Sequence, residues 1–302
     1  MPTNARIIQT ATELARRNWT AYTQTQLKTL VGIFSTANLQ VVQRLARLSK
    51  NDTFKYAQFS TLQRTIAHEL KVARDQLDLL TTKGMEYSID QALKDSIEIL
   101  NKVDLKKGVD IQIGTSYFNR AGELVLFDAS RQAWAQSMWG KLHKDALDHL
   151  LRYRPWGFAL SKDIWNVTWQ AQRQLLQRIG SAIVTGEKIS TLIPDINSIL
   201  GVSETSVSLT TGRGIYKSAT KNASRLLRTE LNRAYVEGQV RYMHLKEFIA
   251  GGIHRTGSGN PCEECEDLAG TFYPKGEGNE IPVHPHCMCW LEYVLEREAE
   301  SA

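Results

Sequence analysis

Apolar positions recur at steps of three and four along the first hundred residues. Ile7, Leu14, Leu27, Leu30, Val31, Ile33, Phe34, Leu39, Val42 and Leu45 fall among Gln, Thr and Arg, which is the spacing of one helix face. Leu62, Ile66, Leu70, Val72, Leu77 and Leu80 repeat the pattern in a second stretch, from about 61 to 103. Gly84 is expected to break that stretch, and Ser88 with Asp90 to cap a further helix near Gln91. Between Val109 and Phe127 the character changes. Two short β-rich runs flank Asn119-Arg-Ala-Gly122 and predict a hairpin.

Helix is expected again from about 130 to 153, where Pro155 stops it, and from Ser161 to about Val184. A turn at Gly186 leads to a capped restart that ends at Leu200 and Gly201. Ser203 to Gly214 is rich in Ser, Thr and Gly and reads as a loop. Ile215 to Phe248 reads as one long helix, with Leu227, Leu231, Ala234, Gly238 and Tyr242 as its apolar stripe. Trp134, Trp139, Trp156, Trp165 and Trp169 cluster at helical spacing and are assigned to a core. The expected fold is mainly α: helical bundles with a short β-hairpin and a small C-terminal zinc-stapled α/β module. Its expected parts are a helical region 1–128 ending in the hairpin, a helical core 129–250 with a basic last helix, and an acidic zinc-binding module 251–302.

Composition adds little to this picture: 302 residues, 42% hydrophobic and 23% charged, are ordinary for a globular chain. No run approaches the roughly 18–20 apolar residues of a membrane span, and the N-terminus lacks a signal-type apolar region, so no membrane partner is expected. Charge is distributed unevenly. Residues 211–246 hold eight basic side chains against Glu230 and Glu237, whereas 255–302 hold three basic against ten acidic. At about 100° per residue, Lys217, Lys221, Arg225 and Arg228 fall on one flank of the long helix. Such a flank suits DNA phosphates or an acidic protein face, and a solvated helix face is the plainer alternative. Glu230 is expected to act as an ion-pair partner rather than in catalysis.

All four cysteines lie in two short clusters, Cys262-Glu-Glu-Cys265 and His284-Pro-His-Cys-Met-Cys289, separated by 18 residues. Thiolates and imidazole at such spacing can reach one tetrahedral ion, and zinc is the metal best matched to that donor set. The candidate ligands are Cys262, Cys265, His284, Cys287 and Cys289, from which four are needed. His286 is the less favoured candidate, because in an extended segment its side chain points away from those of its neighbours. A pair of disulfides is the rival arrangement. Enough thiolates are present to close the shell, which points to a structural Zn2+ rather than a catalytic one. His68-Glu69 fails as a zinc-protease motif because Val72 stands where the second His belongs, and Gly257-Ser-Gly259 has no strand or helix to frame a nucleotide loop. No catalytic constellation and no organic cofactor site are expected.

Three stretches resemble the phage Mu F-like head-morphogenesis family: Arg225-Leu-Leu-Arg-Thr-Glu-Leu-Asn-Arg-Ala-Tyr235, then Cys262-x-x-Cys265 with Asp267-Leu-Ala-Gly-Thr-Phe272, then His284-Pro-x-Cys-x-Cys289. Met288 stands where that family usually has Arg. The resemblance covers about residues 160–295. It implies a minor structural protein of a tailed-phage virion, made in the host cytoplasm and placed inside the head at the portal vertex. The implied partners are the portal protein, other head proteins and packaged DNA bound without sequence preference. The implied role is head morphogenesis or DNA ejection. A zinc-dependent nuclease or hydrolase acting on DNA is the enzymatic alternative, and it requires an open metal position.

Overall fold

The computed structural model describes residues 4–48, 58–101, 116–118, 124–126, 140–150, 160–201, 218–257, 261–278 and 280–296. The apolar period of the first hundred residues becomes two long helices, α1 (Asn4–Leu48) and α2 (Phe59–Asn101). Gly84 does not break α2, and Ser88 caps nothing: its hydroxyl donates to the Gly84 carbonyl one turn back, at 2.8 Å. The glycine serves packing instead. A Cβ there would collide with the Leu231 side chain, so the missing methyl lets another helix approach closely.

The predicted hairpin forms, with β1 (Ser116–Phe118) and β2 (Leu124–Leu126) antiparallel and Ser116 opposite Leu126. A helix α3 covers residues 140–150. Next come α4 (Leu160–Thr185) and α5 (Ile189–Leu200), separated by the turn at Gly186. Gly201 ends α5 in the left-handed conformation that a residue with a Cβ resists, φ 78°. The restart at α5 uses Lys188 as its flanking residue, without a side-chain cap. Helix α6 (Ala219–His244) begins at Ser218, whose hydroxyl accepts from the Lys221 amide at 3.2 Å. Strand β3 (Ile249–Arg255), the short helix α7 (Glu263–Asp267), β4 (Phe272–Pro274) and β5 (Trp290–Leu295) follow. The last three strands form an antiparallel sheet in the order β4-β3-β5. The mainly helical class with a small C-terminal α/β module is therefore the observed fold.

The chain divides into two compact units, neither of them a continuous stretch. This differs from the three consecutive parts expected. One unit takes Met1–Tyr22, Gly84–Pro155 and Thr229–Ala302, and the other takes Thr23–Lys83 and Trp156–Arg228. The long helices are the reason, because α1, α2 and α6 each give one portion to each unit. In the first unit Trp19, Met85, Ile89, Leu231, Tyr235 and Tyr293 are core side chains. In the second unit the core includes Phe34, Leu62, Ile66, Leu175 and Ile196, with Asn38 donating to Asn197 at 2.9 Å. There Arg178 forks onto Glu187 at 2.6 and 2.7 Å and also reaches Asp195 at 2.6 Å, fastening the α4–α5 turn.

Two expectations fail on burial. Trp165 and Trp169 are not core: they are 43% and 41% exposed and stacked on each other at 5.5 Å, with the Arg173 guanidinium 5.6 Å from the Trp169 ring. Trp134, Trp139 and Trp156 lie outside the described residues. Helix α6 is mostly covered: Asn222, Ser224, Arg228, Glu230, Asn232, Arg233 and Gln239 are all buried, whereas Lys221, Arg225 and Arg241 are half-buried. Among the described residues no helix is long and apolar enough to cross a membrane.

Candidate metal centre

The first unit carries the cysteine clusters. Cys262 precedes α7, and the amides of Cys265 and Glu266 both donate to its carbonyl at 2.9 Å. The CxxC pair is thereby wound around one helical turn. The second cluster lies in the chain entering β5. There the Cys287 amide donates to the His284 carbonyl at 3.1 Å, and His286 adopts φ 71°. The segment is a tight turn rather than extended chain. His286 is buried and, as expected, is not among the clustered donors, although the reason is a tight turn and not an extended segment.

All five expected ligands come together. Sγ of Cys262 and of Cys265 lie 3.0 and 3.2 Å from Nε2 of His284, and the sulfurs of Cys265 and Cys287 are 3.8 Å apart. Two triads, Cys262–Cys265–His284 and Cys265–Cys287–Cys289, each have their donor atoms within 4.8 Å of one another. Thiolates on one tetrahedral ion at about 2.3 Å sit about 3.8 Å apart, which is the Cys265–Cys287 separation. None of the four cysteines is in a disulfide, so the rival pairing is set aside. The cluster can hold a metal ion, and Cys265 is common to both triads.

The sulfurs share protons unequally. Hydrogen bonds from the Cys265 and Cys289 thiols pull the Cys287 pKa down to about 2. Donating to Cys287 raises the pKa of Cys265 and Cys289, and burial raises them further. Burial works against charge on His284, yet the Pro285 carbonyl and the Cys287 and Cys262 sulfurs outweigh it and raise its pKa. Burial likewise opposes a Cys262 thiolate, but the Cys265 amide and the nearby imidazole lower its pKa overall. Backbone amides supply further donors to sulfur: Cys289 and Val283 to Cys287, and Gly257 to Cys289. Gly257 must be glycine for this approach, because a Cβ would strike the Met288 carbonyl.

Helices α1 and α6 hold the turn from behind. Asn232 Nδ2 donates to the carbonyls of Cys287 (3.1 Å) and Cys289 (3.0 Å), while its Oδ1 accepts from Arg16 Nη2 at 2.6 Å. The same Arg16 nitrogen donates to the Met288 carbonyl at 2.6 Å. Thr229 Oγ1 accepts from the His286 amide at 2.9 Å, and the Gln239 amide donates to the Leu291 carbonyl, also at 2.9 Å. Three consecutive carbonyls, 287 to 289, are thus taken by two side chains. The Arg16 guanidinium also lies over the rings of Trp19 (4.2 Å) and Tyr235 (5.2 Å), whose hydroxyl donates to Asp95 at 2.7 Å.

Glu230 pairs with Arg233 at 3.5 Å, both buried, and Arg233 also donates to the Leu150 carbonyl. Its ion-pair role is therefore met, by Arg233. The basic flank is corrected in part. Arg228 is only 4% exposed, so it is not on an open face, and Lys221 and Arg225 are half-buried. Lys217 lies outside the described residues.

Sequence reasoning overlooked Arg16, Thr229, Asn232 and Gln239. Thr229 and Asn232 stand inside the Arg-Thr-Glu-Leu-Asn-Arg stretch that carries the family resemblance, and that was their available signal. Arg16 gives none, being 272 positions from its carbonyl partner. Comparison of the chain with protein-family models, with curated proteins and with solved structures yields no match.

Proposed function

We propose that this chain is a minor structural protein of a tailed-phage head, associated with the portal protein inside the capsid, and that its cluster holds a structural Zn2+. One observation carries the reading: the three stretches that carry the family resemblance meet at a single site. Thr229 and Asn232 of the helix stretch bind the backbone of the His-Pro-x-Cys-x-Cys turn, whose sulfurs face the CxxC pair. That is the construction of a fastening. Zinc suits the donors because it is indifferent to d-electron geometry and accepts thiolate and imidazole tetrahedrally. Cys265 and Cys287 with two further members of the group would complete its shell. When bound, the ion supplies cross-linking energy to the fold rather than Lewis acidity.

In this reading the chain assists head morphogenesis or DNA ejection, in contact with the portal, other head proteins and non-specifically bound DNA. Lys221 and Arg225 remain the cations suited to phosphate, and Arg228 is withdrawn from that role. The nuclease reading needs an open metal position, and five clustered donors for one ion argue against it. The deciding experiment is quantitative mass spectrometry of purified virions, with the chain's stoichiometry set against the portal protein and zinc measured in the isolated chain. A few copies per particle and about one zinc per chain are expected. Its absence from intact infectious virions would refute the proposal.

A further inference from the structure

We propose that the exposed Trp165–Trp169 stack on α4 is a binding surface for single-stranded nucleic acid. Lys162, Trp165, Trp169 and Arg173 follow one another at steps of three, four and four, so they share one face of the helix. Trp165 and Trp169 are 43% and 41% exposed, and their rings lie 5.5 Å apart and within 18° of parallel. The Arg173 guanidinium, one turn further on, sits 5.6 Å from the Trp169 ring. A single exposed indole needs no explanation, but two stacked in register beside a cation form a ladder of flat surfaces left open to solvent.

The charges on this helix select the occupant. Apart from the indoles, every exposed side chain of α4 among the described residues is cationic or uncharged. Lys162 and Arg173 supply the charge, and Gln170, Gln174 and Gln177 are neutral donors and acceptors. Asp163, the one acid of the helix, is half-buried and lies at least about 80° around the axis from each of the four face residues. Among the described residues no carboxylate pairs with Arg173, whose guanidinium meets the Trp169 ring instead. A cationic face without carboxylates suits a polyanion. Flat indoles suit the faces of bases, which stack on aromatic rings whatever their sequence. In a duplex those faces are already stacked on neighbouring base pairs, so the occupant is an unpaired strand. A base extends the ladder at Trp165 and Trp169, and the flanking phosphates fall to Lys162 and Arg173 at its two ends. The site uses neither the cysteines nor the α6 cations, and it stands independently of the portal reading.

The test uses the full chain and two fluorescein-labelled probes, an oligodeoxythymidylate of about 16 nucleotides and a duplex of the same length, read by fluorescence anisotropy. The parent should bind the single strand more tightly than the duplex, and the oligothymidylate should quench the parent's tryptophan fluorescence. Trp165→Ala or Trp169→Ala should each weaken single-strand binding about 5–150-fold, whereas the double change Trp165→Phe/Trp169→Phe, which keeps flat ring faces, should retain most of it. Arg173→Gln should lower the slope of log affinity against log salt by about one. Melting curves that coincide with the parent's separate a lost contact from a lost fold, and Arg173→Gln, a change at an exposed side chain, keeps the test decisive if an Ala variant misfolds. Folded Ala variants that bind the single strand as the parent does, or a parent that favours the duplex, would overturn the proposal. A parent that binds neither probe would also overturn it and assign the ladder to a protein partner. Absence of the chain from virions would leave it standing.

Discussion

Replacing Asn232 with Ala tests the idea that the metal-bearing turn is held from behind by one buried amide. The side chain is fully enclosed and makes three hydrogen bonds, two donated to the Cys287 and Cys289 carbonyls and one accepted from the Arg16 guanidinium. A neutral hydrogen bond contributes about 1 kcal/mol net and one to a charged group about 2 kcal/mol, so the loss is about 4 kcal/mol before any cavity effect. That is a large fraction of the roughly 5–15 kcal/mol by which domains are stable. Arg16 keeps the Met288 carbonyl and its aromatic neighbours, which limits the penalty on that side. Urea unfolding of the Zn2+-loaded chain, followed by tryptophan fluorescence, should show a midpoint shift equivalent to about 3–5 kcal/mol. Asn232→Asp should fare no better, because a carboxylate would then face two carbonyl oxygens. Chelator competition should show weaker zinc retention in step with the stability loss, since binding energy and folding energy are linked here. An Asn232→Ala chain within about 1 kcal/mol of the parent, with unchanged zinc retention, would refute the clamp.

The remaining predictions concern charge. Zinc affinity should weaken as pH falls, because Cys265, Cys289 and His284 have raised pKa values in the metal-free cluster and must give up protons to bind; each displaced proton adds about tenfold per pH unit, measured by competition titration across pH 6–8. Lys246 is 7% exposed and burial lowers its pKa to about 8 from 10.5. The unfolded chain therefore binds more protons between about pH 8 and 10.5, and this amine makes stability rise with pH across that window. Lys246→Met should abolish that rise and stabilise the chain at pH 7, and an unchanged pH profile would count against the buried amine. Glu230→Gln should cost several kcal/mol by leaving the Arg233 guanidinium short of its carboxylate in a buried setting, read as a lower Tm. A chain that cleaves DNA, and loses only that activity in this variant, would overturn the structural reading.

The sequence alone was sufficient wherever the determining contacts are close along the chain. The clustered donors were legible because a CxxC pair closes over one helical turn, and Cys287 and Cys289 share one short turn. The long helices were legible because the apolar period repeats locally, and the hairpin because Asn119 to Gly122 separates two β-rich runs. What failed depended on which distant segment covers a face. Gly84 read as a break, yet Leu231 fills the space its missing methyl leaves. Helix α6 read as one-sided with a cationic flank, yet Arg228, Glu230 and Arg233 are buried, since burial of a polar side chain is decided by its tertiary partners and not by its spacing. Trp165 and Trp169 read as core because large aromatics usually are, whereas they stack at the surface. Arg16 carries no local signature at all. Its role exists only because the fold brings the start of α1 to the turn at residues 286–289, where backbone carbonyls need partners.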